Sequence, residues 1–300
     1  MVNLTLSAPA KINLFLDITG RRPDGYHTIG GIMHTVSLCD TVTLTLTAVS
    51  EGEEPRHTLT CTNPDLPTDG KNLALRAAEA FFGVTGTGNT HLHIHIEKHI
   101  PAAAGMAGGS TDAAAVLKGL NRLMGEPLTL DALCRLGLSL GADVPFCIVG
   151  GAQITEGVGE ILTPCAPLPP CYLVVACAGE GVSTPAAYQK LDELYSGFDG
   201  SGYDPRTDAL AALLDALGNG DLDGAGKHAY NIFESAVLPT HSMAGRIKST
   251  LSDAGAVLAM MSGSGPSVFG VFDDDHAARA AADALQAQGV PAWMCEPMKA

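Results

Sequence analysis

The clearest order in the chain is the spacing of its apolar residues, which switches between two periods. Thr41-Val-Thr-Leu-Thr-Leu-Thr47 alternates polar and apolar at every step, and His91-Leu-His-Ile-His-Ile96 does the same. A period of two belongs to a strand with one buried face, so both segments are predicted strands. From Ala113 onward the period lengthens. Val116, Leu117, Leu120, Leu123 and Met124 fall on one helical face, Lys118 and Arg122 lie off it, and Gly125 suits a C-terminal stop. Residues 72–82 are helical by composition and spacing, with a stop expected at Gly83. Residues 130–140 form another predicted helix, with Thr129 as N-cap and Gly141 just beyond.

The N-terminal part thus reads as antiparallel strands followed by helices. Thr163-Pro-Cys-Ala-Pro-Leu-Pro-Pro170 can neither continue a helix nor join a ladder, and it marks the expected crossover between two domains, 1–162 and 163–300. Beyond it the order is strand (172–177), helices, strand (257–261), strand (267–272), helix (277–288), strand (292–295). That is a split βαβ, ferredoxin-like succession with added helices. The expected fold class is α+β, with a mixed N-terminal domain and a C-terminal ferredoxin-like α/β sandwich. Residues 200–208 and 218–226 read as loops, and no internal repeat is visible.

Composition narrows the partners. The 300 residues are 46% hydrophobic, enough for one large or two ordinary cores. A formal charge of -15 argues against nucleic acid and anionic membrane, which attract basic faces. Any phosphate site must be positive only locally. The eight cysteines form no Cys-x-x-Cys pair and no signal-like segment opens the chain, so reduced thiols and a cytoplasmic location are expected. No apolar run approaches the roughly 18–20 residues of a membrane span.

The densest chemistry lies between the second strand and the first periodic helix, in Pro101-Ala-Ala-Ala-Gly105-Met-Ala-Gly108-Gly109-Ser110-Thr111-Asp112. Glycines allow close backbone approach, and the unpaired amides of a first helical turn point at whatever lies in front of them; the usual occupant is phosphate. Loops before helices also carry Gly and Ser merely for turning and capping. The sequence is neither a Walker A motif nor Gly-x-Gly-x-x-Gly.

Four further segments carry candidate groups. Residues 8–16 read as a strand with Lys11 and Asn13 on one face. Residues 20–28 place a Pro-Asp-Gly turn before Tyr26 and His27. Gly141-Ala-Asp143-Val-Pro-Phe146 sets a carboxylate just past a helix end and before an apolar strand, where the negative helix terminus would raise its proton affinity. Residues 261–269 form a second glycine-rich turn that does not match the Gly-x-Ser-x-Gly nucleophile elbow. His91, His93 and His95 share one strand face, but without an obvious acidic or Cys partner they are given no role.

In order and spacing, Pro-Ala-Lys-Ile-Asn-Leu (9–14), Arg-Pro-Asp-Gly-Tyr-His (22–27), Pro-x-x-x-Gly-x-x-Gly-Gly-Ser-Thr (101–111) and Gly-Ala-Asp-Val-Pro-Phe (141–146) resemble the GHMP small-molecule kinases over essentially the full length. The resemblance implies that family's two-domain fold and ATP-dependent phosphoryl transfer, with Mg2+, to an alcohol on a small molecule carrying a cytidine diphosphate group. It makes Asp143 the base and Lys11 its cationic partner, with no protein metal ligand assigned. Asn72 and Lys98 would border the adenine, and Pro101, Gly105, Met106, Ala107, Gly108, Gly109, Ser110 and Thr111 would belong to the ATP site. Asn13, Tyr26, His27, Thr184 and Tyr188 would bind the substrate, with the cytosine between two rings.

The loop departs from the family's commoner Gly-Leu-Gly-Gly-Gly-Ser-Ser at Met106, Ala107 and Thr111, and Ala107 resists a positive φ. Asp112 is read as structural. Alternatives on the same fold are a homoserine- or mevalonate-type kinase and a non-catalytic nucleotide sensor; the Tyr26-His27 turn and Tyr188 count against the first, Lys11 and Asp143 against the second.

Overall fold

The computed structural model describes residues 1–177, 179, 181–198 and 203–299. In chain order it contains β1 (Val2–Arg21), β2 (His27–Ala48), β3 (His57–Cys61), α1 (Leu73–Thr85), β4 (Thr90–Glu97), α2 (Gly108–Leu123), α3 (Leu130–Leu138), α4 (Val144–Val149), β5 (Ala152–Glu156) and β6 (Ile161–Pro164). These are followed by β7 (Tyr172–Ala176), α5 (Thr184–Leu194), α6 (Thr207–Asn219), α7 (Leu222–His228), β8 (Tyr230–Asn231), α8 (Phe233–Val237), α9 (Ser242–Asp253), β9 (Leu258–Met261), β10 (Val268–Phe272), α10 (Asp275–Ala287) and β11 (Ala292–Cys295).

Two compact units emerge, each discontinuous in sequence. The first comprises Met1–Ala10, Cys39–Pro101 and Ala107–Val149, the second Lys11–Leu38, Ala102–Met106 and Gly150–Ala300. The division differs from a single boundary at 162, because β1 and β2 each contribute to both units. The Pro-rich stretch 163–170 lies inside the second.

In the first unit the far half of β2 pairs antiparallel with β4, and β4 pairs parallel with β3. Val42, Leu44, Leu92, Ile94 and Ile96 are buried, as the alternation requires. Helices α1 and α2 pack together; Ala74, Ala77, Ala78 and Phe81 are buried on the first and Ala113–Leu117, Gly119 and Leu120 on the second. A Cβ at Gly119 would lie 2.5 Å from Leu44 Cδ1 and 2.8 Å from Leu6 Cδ1, so glycine there permits the helix to lie close on the strands. Asn72 caps α1 as expected of an N-cap residue, accepting from Ala74 N at 2.9 Å. The helix runs through Gly83 and ends at Gly86, which takes the left-handed φ of 67°. A mid-helix glycine costs only about 1 kcal/mol, less than neighbouring packing returns.

In the second unit Phe15 and Leu16 of β1 pair parallel with β8, while Gly31–His34 of β2 pair antiparallel with β5, itself paired with β6. The other sheet is four-stranded and antiparallel, ordered β11-β7-β10-β9. That is the ferredoxin-like order, covered by α9 and α10 through Leu251, Ile247, Ala278, Ala281 and Leu285. Residues 218–226, expected as loop, hold the end of α6 and the start of α7. Asp221 Oδ1 accepts from Gly224 N at 2.9 Å and nucleates that short helix. Of the expected loop at 200–208, residues 200–202 lie outside the described residues. Among the described residues no helix is long and apolar enough to cross a membrane.

Candidate active site

The glycine-rich segment is built in two parts. In the first unit Ala107 sits ahead of α2 with a φ of 59°, without a side-chain cap. Alanine holds the left-handed path that glycine would take more cheaply, a strain of roughly 1–2 kcal/mol. The first intrahelical bond runs from Thr111 N to Ala107 O at 2.9 Å, so the amides of Gly108, Gly109 and Ser110 precede the helical ladder. These amides and the positive end of a sixteen-residue helix can hold an anion. A Cβ at Gly108 would point inward, 3.2 Å from Ile100 Cγ2 and 3.3 Å from Lys98 Nζ. At Gly109 the nearest neighbour is Leu73 Cδ1 at 3.7 Å, and this glycine faces out.

The turn that leads to Asp143 starts close to those amides. A Cβ at Gly141 would lie 3.9 Å from Ser110 Oγ, which brings the Gly141–Asp143 turn beside the start of α2. One expectation is corrected here. The apolar run after Asp143 is the helix α4, not a strand, and Asp143 O accepts from Cys147 N at 3.1 Å. The carboxylate therefore opens a helix, and the electrostatic reason given for a base at a helix exit does not hold. Its position beside the glycine turn remains.

Lys98 and Asn72, expected at the adenine, have their side-chain groups engaged in the fold. Asn72 caps α1 and donates from Nδ2 to Pro67 O at 2.8 Å. Lys98, only 5% exposed, donates to Asp40 and to Asp112 Oδ2, the latter at 2.9 Å. Asp40 Oδ1 also accepts from His99 N at 2.6 Å and Ile100 N at 2.9 Å. Burial pulls the Lys98 ammonium toward neutrality, but the two carboxylates outweigh it and its pKa is raised. Asp112 is pushed up to about 7, chiefly by burial and against the pull of Lys98.

In the second unit the remaining residues converge on the turn that follows β9. Gly105 has a φ of 74°, and a Cβ there would lie 2.2 Å from Ser262 O. Ser262 Oγ donates to Gly105 O at 3.1 Å, and Met106 O accepts from Lys11 N at 3.2 Å. Buried Lys11 donates to Asn13 Oδ1 at 2.6 Å, confirming that the two share a strand face. Both face the same turn, since a Cβ at Gly263 would sit 3.2 Å from Lys11 Nζ and 3.5 Å from Asn13 Oδ1. Asn231 Nδ2 holds the turn through Met261 O (2.7 Å) and Gly263 O (2.8 Å). Thr184, at the start of α5, lies 2.8 Å from Ser264 Oγ. Gly263, Ser264 and Asn231 were missed by sequence reasoning. The signal was the glycine-rich 261–269 turn, noted in the sequence as no nucleophile elbow but given no site residue.

The aromatic part differs from two rings held apart. The Pro-Asp-Gly turn forms, with Arg22 N donating to Tyr26 O at 2.7 Å, and it leaves Tyr26 66% exposed. His27, its side chain 8% exposed, turns inward and stacks on Tyr188, centroids 4.9 Å apart and planes within 16°. His27 Nε2 lies 2.7 Å from Asp192 Oδ1, and Phe233 meets Tyr188 edge-on at 4.9 Å. It is thus His27 that lies on Tyr188.

The histidine row is engaged by β3 and the segment before it. Thr60 Oγ1 lies 3.1 Å from His93 Nε2 and 2.9 Å from His95 Nδ1, Thr58 Oγ1 lies 3.0 Å from His93 Nδ1, and Arg56 N donates to His91 Nδ1 at 3.2 Å. Among the described residues no group of three or more His, Cys, Asp or Glu is arranged to hold a metal ion.

Comparison with known proteins identifies the family. The chain matches the GHMP kinases N terminal domain over residues 72–151 and the GHMP kinases C terminal family over 213–291. It is 40% identical over 285 residues to the 4-diphosphocytidyl-2-C-methyl-D-erythritol kinase of Geobacter metallireducens, covering 95% of each chain. Against the enzyme of that name from Gloeobacter violaceus it is 41% identical, covering 100% of this chain and 96% of the other. A crystal structure of 4-(cytidine 5'-diphospho)-2C-methyl-D-erythritol kinase superposes with a TM-score of 0.78 at 33% identity, covering 99% of this chain and 100% of the other. The homoserine kinase of Cytophaga hutchinsonii, at 19% identity and a TM-score of 0.73 over 99% of this chain and 95% of the other, shares the fold. With its motifs and relatives in agreement along nearly its whole length, the chain belongs to the GHMP kinases, and within them to the 4-diphosphocytidyl-2-C-methyl-D-erythritol kinase family.

Proposed function

We propose that the chain transfers the γ-phosphoryl group of ATP to the 2-hydroxyl of 4-diphosphocytidyl-2-C-methyl-D-erythritol, giving the 2-phosphate and ADP, a step of non-mevalonate isoprenoid precursor synthesis. The observation that carries it is the free first turn of α2 with the start of the Gly141–Asp143 turn beside it, a phosphate cradle near the turn that carries the proposed base. In the transfer the acceptor oxygen bonds to the γ-phosphorus as the bond to the ADP oxygen breaks, and the hydroxyl proton passes to Asp143. Such catalysis is mostly positioning and charge stabilisation. The amides of Gly108, Gly109 and Ser110 supply donors, Thr111 follows them, and Lys11 with Asn13 serves the acceptor side.

Mg2+ would reach the site with the triphosphate. The described residues form no acidic cage of their own, and Mg2+ commonly keeps several waters and binds through substrate phosphates. Tyr26, His27, Thr184 and Tyr188 are assigned to the cytidine portion; the exposed Tyr26 ring and the Tyr188–His27 pair offer flat faces to a base. A coupled ADP-release assay with the cytidine diphosphate substrate, homoserine and mevalonate tests the assignment. Turnover is expected on the first alone. Turnover on homoserine or mevalonate without the first refutes it.

A further inference from the structure

Around Lys98 two carboxylates share one ammonium. Asp112 contributes Oδ2 at 2.9 Å, Asp40 contributes its Oδ2, and the side chains of Lys98 and Asp112 are each 5% exposed while that of Asp40 is fully buried. Fully ionised, the cluster carries one net negative charge away from water. Asp112 Oδ1 is buried without a hydrogen-bond partner. A buried, charged and unpaired oxygen is costly, and a proton on that carboxyl removes the charge. Asp40, on the same ammonium, favours the protonated form of Asp112. The same bridge ties the first turns of α2, through Asp112, to the end of β4, through Lys98, and to Asp40 of β2.

We propose that Asp112 is a positioning residue for nucleotide binding: in its proton-bearing form it completes a neutral bridge with Lys98 and Asp40 that fixes the start of α2, and loss of the proton weakens binding of a nucleoside triphosphate there. The inference rests on the nucleotide site proposed above. Ionisation leaves an uncompensated negative charge beneath the turn that would face phosphates.

The other charges around α2 do not compete for this role. Arg76 and Glu79 of α1, Asp131 and Arg135 of α3, and Arg122 of α2 itself are exposed. So are Glu97 and His99, which flank Lys98. Lys118 donates to Cys147 O at 3.3 Å, α4 brings Val144, Phe146 and Ile148, and Asp143 ahead of it is half-buried beside Gly141. The groups that act on the Asp112 carboxyl are Lys98 and Asp40.

The test compares wild type with Asp112→Asn, which keeps the shape and a donor but cannot ionise. Dissociation constants for ATP are measured by calorimetry at pH 6, 7 and 8.5, and their ratio is taken so that titration of the nucleotide cancels. The wild-type to variant ratio is expected to rise roughly fivefold across this range, the effect of one added charge at an intermediate effective dielectric. In the wild type, without nucleotide, one carboxyl carbon resonance that is missing from Asp112→Asn should titrate near neutrality by NMR. A flat ratio, or an Asp112 resonance that does not move between pH 5.5 and 8.5, overturns the proposal. Gly109→Val separates it from the underlying site, because Gly109 lies in the free first turn of α2 and an added Cβ there would meet only Leu73 Cδ1, at an ordinary contact distance of 3.7 Å. If Gly109→Val abolishes ATP binding while the ratio stays flat, the proton-dependent bridge alone has failed. If Gly109→Val binds ATP as wild type does, the nucleotide site has failed and the proposal with it.

Discussion

Replacing Gly105 by alanine puts the contact between Gly105 and the Ser262 turn to a direct test. Gly105 holds a φ of 74°, where alanine is disfavoured by about 1–2 kcal/mol. Strain of that kind alone is survivable, since Ala103 and Ala107 already hold φ values of 51° and 59°. The contact is the larger question. The new methyl would lie 2.2 Å from Ser262 O and 3.1 Å from Gly265 N, both backbone atoms that cannot rotate aside. Relief requires the turn to move, an overpacking cost of about 1–3 kcal/mol. A combined loss of roughly 2–5 kcal/mol is expected in urea unfolding, and the displaced turn should carry Lys11 and Asn13 with it, lowering kcat. Gly109→Ala is the control from the same loop. Its position is helical and open, so alanine should stabilise by about 0.5–1 kcal/mol. If Gly105→Ala unfolds within ~0.5 kcal/mol of wild type, the contact is slack and the reasoning from it is wrong.

Asp143→Asn should lower kcat by well over tenfold, about 1.4 kcal/mol, and leave ATP affinity nearly unchanged in single-turnover and binding measurements; a smaller loss removes Asp143 as the base. Tyr188→Ala should raise KM for the cytidine substrate roughly five- to a hundredfold, the worth of one base stack, without moving KM for ATP; equal losses for both would make Tyr188 a purely structural partner of His27 and Phe233. Buried His34 donates from Nδ1 to Thr35 O at 2.8 Å and accepts from Leu168 N at 3.1 Å, and burial lowers its pKa. The unfolded chain therefore takes up a proton near pH 6.5 that the folded chain resists, so stability present above that pH should fall as the solution is acidified. The slope of unfolding free energy between pH 7.5 and 5.5 should be shallower in His34→Gln, and an unchanged slope would exclude His34 as the source.

How much of this was legible depends on how many faces of an element meet water. Residues 41–47 alternate because one face of β2 is partly exposed there, whereas residues 29–36 of the same strand are all buried and show no alternation to read. The β1 strand behaves alike from Ala10 to Ile18. Val144–Val149 looked like a strand because a short apolar run has no period; the bonds from Val144 N to Gly141 O and from Cys147 N to Asp143 O, not pattern, make it helical. The Lys11–Asn13 pair was visible from its spacing of two. The engagement of Lys98 by Asp40 and Asp112 was not, because partners 58 and 14 residues away carry no local signature.

The threading of β1 and β2 through both units has a consequence for how such an enzyme can be recombined. Exchange of halves between homologues at residue 162 would ask β8 of one parent to align on β1 of the other. It would also part Asp17 from Tyr203 and the Arg206 amide, which it meets at 2.5 and 2.9 Å, and Gly105 from Ser262. Residues 11–38 and 102–106 must travel with 150–300, as one parental block interleaved with the other. Crossovers chosen by sequence position alone would therefore yield mismatched hybrids, while paired crossovers that respect the interleaving would keep each parent's complementary surfaces together.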